Sequence, residues 1–188
     1  MFDDVKLDEQ TIQRIIAGDY ARRSIPSVPN VQIMRKPLLE IDTVLFGVPA
    51  LMGKHGRNGY YEADLVVLRL GMNERMTEFE IKISIEDFRR DFKKYHYHDG
   101  AFVDCLYYAM PVEMFEKHNE EILNTIQDYV GVAVIEGNSM RIEKKAKKQK
   151  LNTDFTGEYR TCCELKSEIW RVMRIGCTRW CYGSHAKY

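Results

Sequence analysis

Tyr60-Tyr-Glu62-Ala-Asp64-Leu-Val-Val-Leu68, followed after Gly71-Met-Asn-Glu74 by Thr77-Glu78-Phe-Glu80-Ile-Lys82-Ile-Ser84, is the stretch that decides the fold. Both runs are apolar and strand-like, with charges at alternate positions. A strand sends successive side chains to opposite faces, so Glu62 and Asp64 are expected on one face of the first strand. Glu78, Glu80 and Lys82 are expected on one face of the second. The short connection predicts a hairpin, which would bring these carboxylates and one ammonium together. Two like charges about 5 Å apart repel by about 3 kcal/mol at an effective dielectric near 20. A hard divalent cation removes that cost, because Mg²⁺ prefers oxygen ligands.

Outward from this hairpin, strands and helices alternate, which predicts an α/β domain. An amphipathic helix is expected over residues 8–22, with Ile12, Ile15, Ile16 and Tyr20 at helical spacing. Pro26, Pro29 and Pro37 mark an irregular connection, and a strand is expected over 38–48. Gly53, Gly56 and Gly59, with Lys54, His55 and Arg57, read as a basic loop. Ser84 and Asp87 resemble a capping box for a helix reaching about Tyr95. A buried strand over 102–109, a helix from Pro111 to about Asp128, a hairpin built on Val130–Ile135 and Met140–Glu143, and a C-terminal helix over 159–175 complete the chain.

The 188 residues suffice for one domain with a small appendage, expected as residues 1–150 and a helix with a Cys-rich tail at 151–188 packed on it. With 28 basic and 28 acidic residues the net charge is zero, so attraction to nucleic acid must come from local patches. No apolar run approaches the ~20 residues that span a bilayer, and the acidic start Met-Phe-Asp-Asp is not a signal peptide. A cytoplasmic location without membrane contact is the expectation, with the five cysteines as free thiols. Cys177-x-x-x-Cys181-x-x-x-His185, with Cys162-Cys163 upstream, lacks the tight Cys-x-x-Cys knuckle of structural zinc sites.

Physical chemistry assigns roles to the hairpin charges. Asp64 and Glu80 would hold Mg²⁺ or Mn²⁺, with Glu62 completing the shell and Glu78 as a further candidate. Lys82, two residues from Glu80, would orient water or neutralise charge developing on a phosphate. A half-exposed hairpin with a solvated face also alternates in this way.

At these residues the chain resembles the PD-(D/E)XK nuclease superfamily. The resemblance lies in Asp64 followed on the next strand by Glu80-Ile81-Lys82. The longer string through Ser84, Asp87-Phe88, Asp91, Lys93, Asp104 and Tyr107-Tyr-Ala-Met-Pro111 is similar to the MmcB-like DNA-repair branch. It covers roughly residues 60–112. The resemblance implies a restriction-endonuclease-like α-β-β-β-α-β core, a mixed sheet flanked by helices, here followed by a hairpin and a helix. It implies Asp64 and Glu80 as metal ligands, Lys82 as catalytic lysine, and metal-dependent cleavage of DNA in repair or phage-type processing. An acidic residue of the first helix often joins such sites, and Glu9 is the candidate. The alternative is a weak or inactive nucleic-acid-binding or scaffold module of the same fold.

Arg90, Lys93, Lys94 and Tyr95 follow the motif directly, and Lys147 and Lys148 belong to a second basic run, Lys144–Lys150. Basic groups contact phosphates and tyrosines stack on bases, so both segments are candidate DNA contacts. A second copy of the chain, or a repair or replication protein, stands as a further expected partner.

Overall fold

A computed structural model describes residues 7–34, 60–71, 74–93, 100, 102–149 and 162–182, and within these the side chains of 34, 60, 162–165 and 180–182 are left aside. The chain order is helix α1 (Glu9–Ala21), strands β1 (Ser27–Met34), β2 (Tyr60–Arg69) and β3 (Arg75–Ile81), and helix α2 (Ile85–Asp91). Strand β4 (Cys105–Pro111), helix α3 (Val112–Thr125), strands β5 (Gly131–Glu136) and β6 (Ser139–Lys144) and helix α4 (Cys162–Tyr182) follow.

The six strands form one sheet in the order β1-β2-β3-β4-β5-β6. The expected β2–β3 hairpin is present, with Leu65 opposite Phe79 and Val66 opposite Glu78. Strands β3, β4 and β5 run parallel, which requires α2 and α3 as crossovers, while β1 and β6 pair antiparallel at the two edges. The fold is therefore α/β with a mixed sheet flanked by helices.

Burial explains the layers. Ile12 and Ile16 of α1 pack on Leu65, Val67, Phe79, Ile81, Ala133 and Ile135, covering one face of the sheet. On the other face, Ile85 and Phe88 of α2 and Ile122 of α3 cover Leu106, Tyr108, Val132 and Val134. Ile169 and Val172 of α4 cover Val28, Val31, Ile33 and Val66 there as well.

Several boundaries differ from expectation. β1 occupies the segment expected to be an irregular connection. Its Pro29 is tolerated because β1 is an edge strand, where a missing N–H breaks few ladder bonds. The expected strand at 38–48 and the basic glycine loop at 53–59 lie outside the described residues. Helix α2 ends at Asp91 rather than about Tyr95. Helix α4 runs to Tyr182, so part of the expected tail is helical. Among the described residues no helix is long and apolar enough to cross a membrane.

Strict alternation fails where β1 meets β2. In β1, Val28 shares its cluster with Val31 and Ile33. In β2, Ala63 joins Val66 while Leu65 faces the other way, towards α1. The ladder has pairs Pro29–Leu65 and Val31–Ala63, with Asn30 between them at a positive φ of 48°. Both strands thus slip by one residue at Asn30 and Asp64.

Candidate active site

The slip frees the Asp64 carboxylate from the regular pleat. Oδ2 accepts the backbone N–H of Ile81 at 2.7 Å, taking the place of a ladder carbonyl where β2 and β3 part. Gln13 of α1 secures the strand from behind, because its side-chain amide donates to the Asp64 carbonyl at 3.0 Å, to Asn30 Oδ1 at 2.9 Å and to Glu9 Oε1 at 3.2 Å. Burial, reinforced by the neighbouring Glu80 carboxylate, pushes the Asp64 carboxyl up to about 7 against the Ile81 hydrogen bond. Glu9 also raises it, so the first helix does bring an acidic group to this site.

Glu80 and Lys82 lie on the face that α2 covers. Each is nearly inaccessible, at 5% and 3% exposure. Lys82 Nζ donates to Glu80 Oε1 at 2.7 Å and meets Asp91 Oδ1 at 3.1 Å and Asp87 Oδ2 at 3.8 Å. Its backbone N–H donates to Ala109 O at 2.9 Å, tying it to β4. Burial alone would lower the ammonium's pKa, but Glu80, Asp91 and Asp87 together raise it, so Lys82 is a cation at neutral pH. Asp91 is fully buried and accepts the Tyr108 hydroxyl at 2.6 Å. Ser84 caps α2 by accepting the Asp87 N–H at 3.2 Å, at the start of the helix whose Asp87 and Asp91 meet Lys82.

Glu80, Asp87 and Asp91 therefore surround one ammonium, and Asp64 lies near enough to feel the charges of Glu80 and Lys82. Asp64 is raised first by its burial and then by the Glu80 carboxylate, with Lys82 opposing them. Oxygen donors at Asp64 and Glu80 fit a hard cation that keeps most of its own waters. Among the described residues no three His, Cys, Asp or Glu side chains already converge as a metal cage.

The remaining candidates are placed differently. Glu62 lies beyond the slip and lines a cavity beside Gln10 and Gln13. The fully buried Glu78 accepts the Tyr61 hydroxyl at 2.5 Å. Arg90 is exposed at the rim and reaches Asp87 Oδ1 at 3.3 Å, and Lys93 is exposed just past α2. Lys94 and Tyr95 lie outside the described residues. Lys147 pairs with Asp128, and Lys148 pairs with the buried Asp104 at 3.3 Å. The backbone of this segment is held as well, since the Lys147 N–H donates to Tyr129 O and the Gln149 N–H to Asp104 O. Cys105 is buried and Cys177 exposed, both as free thiols, while the side chains of Cys162, Cys163, Cys181 and His185 lie outside the described residues. Gln13 was not a candidate from sequence, because an uncharged residue on an amphipathic helix carries no site signal.

No protein-family profile matches the chain, and no curated protein matches it. One solved structure is similar, that of a protein of unknown function from Silicibacter pomeroyi. The TM-score is 0.59 at 19% identity, over 94% of this chain and 91% of that one. At this identity the likeness speaks to the fold alone.

Proposed function

We propose that this protein is a metal-dependent DNA nuclease that hydrolyses phosphodiester bonds, in DNA repair or phage-type DNA processing. The observation that carries the proposal is the joint placement of Asp64 and Glu80. Asp64, lifted to about 7 by burial and by Glu80, sits where β2 and β3 part, and Glu80 is bonded to the cationic Lys82. The acid-acid-lysine order on consecutive strands and the α-β-β-β-α-β element order support the same reading.

Asp64 and Glu80 would hold Mg²⁺ or Mn²⁺. When bound, that ion supplies a water of lowered pKa and polarises a phosphoryl oxygen. The carboxylate neighbours of Lys82 favour its protonated form, which suits it to act as a cation rather than a base. Its role is electrostatic, opposing the charge that builds on the phosphate and orienting water. Asp91 and Asp87 fix the ammonium, so little reorganisation is needed during reaction.

The test is cleavage of single-stranded DNA, duplex DNA and RNA with Mn²⁺ or Mg²⁺, using Asp64→Asn as the inactive control. No cleavage of any of them by folded, metal-loaded protein would sink the proposal. Mn²⁺-soaked crystals should show the ion between Asp64 and Glu80. One observation favours a second reading, a weak or inactive nucleic-acid-binding module: Glu80 and Lys82 are buried and bonded to each other. That reading expects salt-sensitive DNA binding that survives Glu80→Gln, without turnover.

A further inference from the structure

Helix α4 turns an unusual face outward. Trp170 is 70% exposed, more than any other large hydrophobic side chain among the described residues. Lys166 and Arg174, one turn before and one turn after it, are exposed on the same face. The one acid between them, Glu168, is turned inward at 5% exposure and is held by Arg171 through contacts of 2.6 and 2.7 Å. The outward face thus carries a bare indole between two cations.

The helix is rigidly mounted. Ile169 and Val172 pack on β1, and Arg171 and Arg179 donate to the carbonyls of Gln32, Pro29 and Asn30 at 2.5–2.7 Å. Two depressions flank this face and share Met173 and Cys177. One, of about 770 Å³, is lined by Trp170 and Arg174, and the other, of about 650 Å³, by Gln13 and Glu62. Met173 and Cys177 thus stand between the Trp170 depression and the one that reaches Gln13, which donates to the Asp64 carbonyl.

We infer that the outer face of α4 binds single-stranded nucleic acid, with a base stacked on Trp170 and phosphates on Lys166 and Arg174, and leads that strand towards Asp64. An exposed indole with flanking cations complements a chain that alternates flat rings with negative charges. A duplex buries its base faces and cannot stack on the indole. As a substrate track, the inference rests on the nuclease reading. As a binding surface it does not, since binding is measured without divalent metal.

The full chain with Trp180→Phe, which leaves Trp170 as the only indole, is titrated in EDTA with oligothymidylate, oligouridylate and a DNA duplex. The expected result is quenching of Trp170 fluorescence by one or both single strands, with roughly tenfold or greater loss of affinity in Trp170→Ala, the indole-free variants being read from the anisotropy of fluorescein-labelled oligonucleotides. Trp170→Phe keeps most of the affinity, because it keeps a ring. Lys166→Ala with Arg174→Ala reduces the slope of log affinity against log salt by about 1.4, from two lost phosphate contacts. Unchanged affinity in Trp170→Ala, no single-strand binding at low salt, or equal quenching by duplex would overturn the inference. So would sedimentation showing a dimer that Trp170→Ala abolishes, which would assign the face to a second copy of the chain. Binding with these properties in a protein that cuts nothing would retain the surface and remove only the nuclease reading.

Discussion

The hydroxyl of Tyr108 donates to the fully buried carboxylate of Asp91 at 2.6 Å. The other oxygen of that carboxylate faces Lys82 Nζ at 3.1 Å, so one acid couples β4 to the candidate catalytic lysine. Tyr108→Phe keeps the ring packing on Phe88 and Phe92 but removes the donor. Loss of a hydrogen bond to a buried charge should cost about 1.5–3 kcal/mol, read as a lower urea midpoint at unchanged m-value. A midpoint equal to that of the wild type would show that this bond contributes nothing.

Asp64→Asn should lose activity and gain stability. In the folded protein the Asp64 carboxyl titrates at about 7, against an ordinary 3.8. Below about pH 4 the folded and unfolded states both hold the proton. Between about pH 4 and pH 7 only the folded state holds it, so stability falls as pH rises through this window. Asparagine presents the same oxygen to Ile81 N–H without the charge. The melting temperature of Asp64→Asn should therefore exceed that of the wild type by a margin that widens from pH 4.5 to pH 7.5. A constant margin would refute the shift.

Metal affinity should carry the same titration with opposite consequence. A cation selects the ionised carboxylate and so displaces the proton. Mn²⁺ affinity should rise as pH passes from 6 to 8, with proton release visible by calorimetry in buffers of different ionisation enthalpy. In Asp64→Asn both the affinity and its pH dependence should drop. A pH-independent affinity would place the ion elsewhere.

Two glycines should respond oppositely to alanine. A Cβ at Gly131 would press on the Tyr107 ring and lie 2.7 Å from Ala146 N, so Gly131→Ala should cost about 1–3 kcal/mol. Gly18 lies within α1 with nothing within 4 Å of its added Cβ, so Gly18→Ala should stabilise by roughly 0.5–1 kcal/mol. Thermal melts of both variants decide the matter.

The β2–β3 hairpin was legible because its apolar runs, period-two charges and short connection agree. Lys82 beside Glu80 followed from that same period. Glu62 did not join Asp64, because the slip at Asn30 and Asp64 depends on a positive φ and on Gln13 from another element, neither of which marks the sequence. β1 was missed because Pro26 and Pro29 punctuate a strand that only its edge position permits. The Tyr108–Asp91–Lys82 connection joins residues up to 26 positions apart, and no local periodicity encodes such a contact. Trp170 sits on a helix that was expected, yet exposure of one indole depends on which face β1 takes.

The amide of Ile81 gives the site a built-in reporter. It is the final rung between β2 and β3, and its acceptor is a side chain whose charge changes near neutrality. A charged oxygen holds an N–H more firmly than a neutral one. The isotope-exchange lifetime of this single proton therefore tracks the occupancy of the Asp64 carboxylate by proton or metal. Chemistry at the carboxylate and fraying at the end of the hairpin become one event, observable in solution without any substrate.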